Sequence, residues 1–142
     1  MADTDTVEAL VAAFYDSFSG PAGERDLSRL RALFRPGARL VRCATGLEEL
    51  TVDRFLAAAT AFFEESPLYE RELGRRVDRF GNVAQVLSAY EASLEPGGPG
   101  LARGVNALQL VRDGGRWWIS AMAWDDETPG RPVPTELLGT PR

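Results

Sequence analysis

The chain has no histidine and no lysine: all sixteen basic residues are arginine, and Cys43 is the single cysteine. Without histidine there is no ordinary general base near neutral pH, no nucleophilic dyad or triad built on imidazole, and no histidine metal site. Without lysine there is no Schiff-base chemistry. A lone thiol forms no internal disulfide, and with no imidazole to activate it Cys43 reads as a structural thiol. Only carboxylate and water sites for hard cations stay open, and the acidic run Asp125-Asp126-Glu127 lacks a calcium-loop pattern, so neither metal nor cofactor is expected. No apolar run approaches the ~20 residues of a membrane span. The opening MADTDTVEAL is acidic where a signal peptide is basic, which makes the cytoplasm the expected location. The net charge of −5 removes the general attraction that drives nucleic-acid binding. Any catalysis must use Asp, Glu, Tyr, Cys or Arg.

What is present fits one domain: 142 residues, 44% of them apolar. Val7, Leu10, Val11, Phe14 and Phe18 fall at helical spacing after a Thr4 or Thr6 cap. Leu27, Leu30, Leu33 and Phe34 predict a second, shorter helix capped by Asp26 and ended by Pro36-Gly37. Residues 38–43 read as a strand, with a short return strand at 47–50. Thr51 caps a third helix whose stripe is Phe55, Leu56, Ala59, Phe62 and Phe63. Long strands follow at 68–80 and 83–94. In the first, alternation puts Leu73, Arg75 and Val77 on one face and Glu72, Arg76 and Asp78 on the other. In the second, Ala84, Val86, Ser88, Tyr90 and Leu94 share a face. After a Gly- and Pro-rich loop at 95–102, residues 103–125 form a hairpin around Asp113-Gly114-Gly115. Strict alternation sets Trp117 with Ile119, and Trp118 with Met122 and Trp124, so both faces of that hairpin read as apolar. The tail, 127–142, holds four prolines and reads as extended, either strapped over the surface or disordered. Helices first and antiparallel strands after is an α+β pattern.

Three segments carry a resemblance: the opening helix with DLSRLRALFRPGARL, then FGNVAQVLSAYEA, then ARGVNALQLVRDGGRWWISAMAW. Their order and spacing over residues 5–126 resemble the nuclear transport factor 2-like superfamily, in its SnoaL-like branch. The resemblance implies three N-terminal helices packed in the concave face of a curved, mainly antiparallel sheet. It also implies a pocket at the open end of this cone and a homodimer through the sheet. It does not fix a function. Where ketosteroid isomerase-like enzymes place a first-helix tyrosine, this chain has Phe14, with Tyr15 one step away on a different face. Arg42 stands near the position of the general base, and Ala107 near that of the proton-donating acid. A scytalone dehydratase-like mechanism needs histidine, and an epoxide hydrolase-like one needs an interior Asp–Arg–Asp set that the last two strands do not supply.

The candidate ligand-binding residues are Tyr15, Arg75, Tyr90, Asn106 and Gln109. Asn106 and Gln109 lie on opposite faces of one strand, so at most one faces a pocket and orients a ligand carbonyl. Tyr90 offers its hydroxyl to a ligand, or is a core tyrosine reaching the rim. Arg75 favours a carboxylate ligand if it faces inward, or pairs with Glu70, Glu72 or Glu91. Arg42 and Arg103 raise the same question. The leading expectation is a homodimeric, non-catalytic cone that binds a small, partly apolar molecule. The alternatives are a SnoaL-like enzyme moving a proton on a carbonyl compound, with Asp78 or Glu91 as its carboxylate, and an interaction domain with a closed cone.

Overall fold

The computed structural model describes residues 2–139. Helix α1, Val7–Phe18, starts where the Thr6 hydroxyl accepts the Ala9 N–H at 3.0 Å, and it buries Val7, Leu10, Val11, Phe14 and Tyr15. Helix α3, Val52–Glu65, is capped by Thr51, whose hydroxyl accepts the Arg54 N–H. Phe55, Leu56, Ala59 and Phe63 are buried along it as the stripe predicts, but Phe62 is 49% exposed. The helix presents a narrower face to the sheet than the run of aromatics suggests.

The second helix is a single turn, α2, Ser28–Arg31. Leu33 and Phe34 continue its apolar spacing but leave the helix, because β1, Phe34–Arg42, begins there. The Leu33 carbonyl accepts the Ile119 N–H at 2.8 Å, and Phe34 opposes Ile119 in a parallel pairing. Pairing with a central strand outweighs the weak helical preference of this segment. Pro36-Gly37, expected as a helix stop, instead lies inside the strand where its register shifts, with Gly37 at φ +85°. The Asp26 carboxylate does accept the Ser28 N–H, at 2.9 Å.

The remaining strands are β2, Glu48–Thr51; β3, Tyr69–Phe80; β4, Val83–Ser93; β5, Ala102–Asp113; and β6, Arg116–Asp126. They form one curved sheet in the order β2-β1-β6-β5-β4-β3, antiparallel except for β1 against β6. Ala84, Val86, Ser88 and Tyr90 point at the helices as alternation predicts, while Leu94 lies beyond the strand and is exposed. No helix among the described residues is long and apolar enough to cross a membrane.

Two bulges reverse the alternation read from the sequence. In β3 the register shifts between Glu72 and Gly74, so Glu72 opposes Tyr90 and Arg75 opposes Ser88. Glu72, Arg75 and Val77 therefore share the inner face, and Leu73 packs on the outer one with Ala89. In β6 the shift at Ser120 lets Trp117, Ile119, Met122 and Trp124 all join the inner core. Only Trp118 of the tryptophans stays outside, under the Arg116 guanidinium at 3.6 Å from its ring centroid. Met122 and Trp124 thus join Trp117 rather than Trp118, and the outer face owes its apolar character to small side chains. The outer face around β5 and β6 carries Val105, Ala107, Gln109, Ala121 and Ala123 instead.

The tail straps the outer face as far as residue 139, and residues 140–142 lie outside the described ones. Val133 and Leu137 are buried against Leu73 and Ala89, and the Glu127 carboxylate accepts the Val133 N–H at 2.7 Å. A Cβ on Gly74 would lie 2.4 Å from the Leu137 carbonyl oxygen. The tail backbone thus occupies the space that a side chain at Gly74 would need. Gly74→Ala is expected to lift the tail and lower stability by about 1–3 kcal/mol in a denaturant titration. Gly130→Ala, where an added Cβ meets nothing within 4 Å, is expected to stay within about 0.5 kcal/mol of the parent.

Candidate functional site

The bulge in β3 assembles a hydrogen-bonded chain inside the cone. Arg75 grips Glu72 through Nε at 3.0 Å and Nη2 at 2.7 Å, and both side chains are more than nine-tenths buried. The Ser88 hydroxyl donates to Glu72 Oε2 at 2.5 Å. With its one proton so used, Ser88 Oγ accepts from the Tyr15 hydroxyl at 2.6 Å, and Tyr15 Oη in turn accepts from Asn106 Nδ2 at 3.1 Å. The chain runs Asn106 to Tyr15 to Ser88 to Glu72, with every donor direction fixed by the ionised pair at its end. Burial holds the Tyr15 phenol well above its ordinary pKa, despite the opposing hydrogen bonds to Ser88 and Asn106.

A second group lies beside it. Tyr90 donates to Asp126 Oδ1 at 3.0 Å, passing over Gly104, where a Cβ would lie 2.3 Å from the tyrosine oxygen. Burial, and then the Asp126 charge, raise the Tyr90 phenol pKa. Glu70 completes the group. Its backbone is pinned to the end of α1: the Glu70 N–H donates to Ser19 Oγ at 2.9 Å and the Ser19 hydroxyl donates back to the Glu70 carbonyl. No hydrogen bond or ion pair reaches the Glu70 carboxyl among the described residues. Glu70 is half-buried at the cleft. Desolvation first, and the Asp126 charge second, push it up to about 8.

Glu70 and Tyr15 both line a cleft of about 360 Å³. Its walls are α1 (Ala12, Asp16), the start of β3 (Tyr69) and the end of β4 with the loop after it (Ser93). Deeper in the cone, Phe14, Phe18, Phe34, Phe55 and Trp124 pack ring against ring, with centroids 5.7–6.0 Å apart in successive contacts.

Of the residues singled out in the sequence, the fold gathers Tyr15, Tyr90, Asn106 and Arg75 inside the cone. Gln109 lies exposed on the outer face, opposite Ala121. Tyr15 does not point away from Phe14's environment: both are buried under the sheet, their rings edge-to-face at 5.4 Å. Ala107, set against the position of a proton donor, lies outside, and its neighbour Asn106 is the inward residue. Arg75 faces inward but is already paired with Glu72, so it has no guanidinium edge set aside for a carboxylate ligand. Neither proposed acid–base carboxylate is interior. Asp78 is exposed, and Glu91 is paired with Arg71 and Arg103. Glu72 pairs with Arg75, as one of the readings of Arg75 allows, while Glu70 as a cleft carboxyl, Ser88 and Asp126 were missed. Gly74 inside a strand, between Leu73 and Arg75, was the available sign that alternation breaks there. Asp125 meets Arg131, Asp126 meets Tyr90 and Glu127 holds the tail, and no metal-type cluster of acids or thiol exists among the described residues.

The Glu70 carboxyl has a pH signature. Its folded pKa near 8 exceeds the ordinary carboxylate value of 4.5, so folding takes up a proton between these two values. The stability of the fold is greatest below pH 4.5 as far as this group is concerned, and it is lost progressively as pH rises to 8. Glu70→Gln, which mimics the protonated acid, is expected to raise the melting temperature at pH 8.5 and to leave it almost unchanged at pH 4.5.

No protein-family model and no curated protein matches the chain. Solved structures do. A protein with a cystatin-like fold from Caulobacter vibrioides superposes with a TM-score of 0.69 at 18% identity, over 89% of this chain and 90% of that one. An NTF2-like protein of unknown function from Shewanella baltica gives 0.64 at 13%, covering 84% and 89%. A protein from Parabacteroides distasonis with a provisional ketosteroid isomerase assignment gives 0.63 at 10%, covering 87% and 90%. At these identities the likeness is one of fold, and the three helices held in the curve of a six-stranded sheet are the cystatin-like, nuclear transport factor 2-like cone.

Proposed function

We propose that this chain binds a small, partly apolar organic molecule in the cleft between α1 and the start of β3. The observation that carries the reading is the cleft itself, which Tyr15 and the unpartnered Glu70 both line. Its lining sets Ala12, Pro96, Tyr15 and Tyr69 beside the polar Asp16, Ser19, Glu70, Arg71 and Ser93, a mixture that suits a small amphiphilic ligand. A thermal-shift screen of small aromatic amphiphiles tests it, with a saturable rise in melting temperature as the expected outcome. Ala12→Trp, at an exposed position on the cleft wall, is expected to abolish the response while the protein stays folded. A screen with no response from any compound returns the cone to the closed, structural reading, for which the packed aromatic interior is the support.

The proposal includes a homodimer through the outer sheet face. The support is a shallow groove of about 380 Å³ over the central strands, walled by Val41, Leu87, Ala107, Ala121 and Ala123 and rimmed by Arg39, Arg76 and Asp78. Small apolar side chains in mid-sheet leave room for a second sheet, and charges of both signs at the rim can pair across a two-fold axis. Light scattering is expected to give twice the chain mass at micromolar concentration, and Ala107→Glu is expected to halve it without unfolding. A monomeric parent protein overturns this part.

A proton-transfer reading competes with simple binding on one specific observation. Glu70 sits in the cleft with a carboxyl pushed up to about 8, the range in which a carboxyl group serves as acid or base near neutrality. It differs from binding alone in predicting that a bound carbonyl compound exchanges its α-protons with D₂O, and that Glu70→Gln stops the exchange.

A further inference from the structure

We infer that the cleft selects a protonated amine bearing an apolar group, with the ammonium seated on the Glu70 carboxylate. This rests on the cleft being a ligand site, and it names the charge that the site prefers. The sequence suggests the opposite sign, through Arg75, and the reversal comes from counting which charges are already neutralised. Of the arginines on or beside the cleft, Arg75 pairs with Glu72, Arg71 with Glu91 and Arg29 with Asp16 at the rim, while Arg25 is turned to the Phe18 carbonyl and the Phe63 ring. Asp126 has the Tyr90 hydroxyl as its side-chain partner, and Glu70 has none among the described residues. The titratable groups that line the cleft or lie by Glu70 are Tyr15 and Asp16 from α1, Glu72 and the chain neighbours Tyr69 and Arg71 from β3, Tyr90 from β4 and Asp126 from β6. Their uncompensated charge is negative.

A partly desolvated carboxyl with no partner is costly to ionise, and its proton resolves that cost in the empty site. A ligand ammonium removes the cost differently. The carboxyl releases its proton to solvent, and the ammonium takes its place as a charge-assisted donor. An anion would add to the charges of Asp126 and Glu70, and a neutral ligand would gain no ion pair. The Tyr69 and Tyr15 rings beside the cleft add favourable faces for a cation. The apolar part of the ligand would lie against Ala12 and Pro96.

The test compares 2-phenylethylamine, 2-phenylethanol and 3-phenylpropionate, similar in shape and different in charge, on the full chain at pH 8.5 by calorimetry. The amine is expected to bind at least tenfold more tightly than the other two, and Glu70→Gln to remove that preference. Because Glu70 must release a proton near pH 8, amine affinity for the parent protein is expected to weaken roughly twentyfold between pH 8.5 and pH 6.5. Equal binding of the alcohol or the acid, or an amine affinity that is flat with pH, overturns the charge preference and leaves the cleft as a neutral binding site. Binding of none of the three overturns the cleft as a site, and the preference with it.

Discussion

The inner half of this protein depends on one extra residue in an edge strand. Without the bulge between Glu72 and Gly74, β3 would alternate strictly, and Glu72 and Arg75 would point to opposite faces. With it, they meet as an ion pair inside the cone, and that pair fixes the direction of every hydrogen bond from Ser88 through Tyr15 to Asn106. Removing either charge would leave the other buried and unpaired, which typically costs about 3–5 kcal/mol. The same bulge turns Leu73 outward and places Gly74 under the tail, so the outer strap and the inner network share a cause. One local irregularity thus ties α1 to the sheet on one side and residues 133–137 to it on the other.

The global layout was legible in the sequence and the phase of its strands was not. Helices α1 and α3 announce themselves by apolar stripes and threonine caps, and β4 shows its inner face by simple alternation. These are regular elements in which one periodicity holds from end to end. The errors fall where periodicity changes. Ser120 in β6 carries no composition that marks a bulge, so alternation sets Met122 and Trp124 beside Trp118, on a face that they do not occupy. Leu33 and Phe34 fit a helical stripe, and only the distant Ile119, which pairs with this segment, makes it a strand. Glu70 reads in the sequence only as a candidate partner of Arg75, for a related reason. In the string YERELGRR it is one acid among arginines, and its isolation from them appears only once the strand has turned each neighbour elsewhere.

That isolation separates the interior carboxyls into two kinds. Glu72 has its full complement of donors from Arg75 and Ser88, and such a saturated acid serves architecture. Glu70 has solvent access through the cleft and no donor, and such an acid responds to whatever enters. Tyr15 belongs to both. Its hydroxyl is saturated by Ser88 and Asn106, while its ring forms part of the cleft wall. A ligand can therefore use the ring without breaking the chain, but cannot take the hydroxyl as a donor unless Ser88 gives up its bond. This weighs against an oxyanion-stabilising role for Tyr15, since that role needs a donor held free for the developing charge.

The resident charges also explain how an acidic, histidine-free chain can respond to pH near neutrality. Titration in that range ordinarily needs imidazole, and here a desolvated carboxyl supplies it. The shift depends on Glu70 having no cation beside it, so it disappears when a cation arrives. Site charge and occupancy are then one equilibrium. A positively charged ligand and a proton compete for the same carboxyl, and the fold that the proton relaxes in the empty state is relaxed by the ligand in the filled one. Tyr90 links this equilibrium to the far side of the sheet, because it bonds Asp126 at the root of the tail. Asp126 is the charge that most strongly opposes ionisation of Glu70 after burial itself.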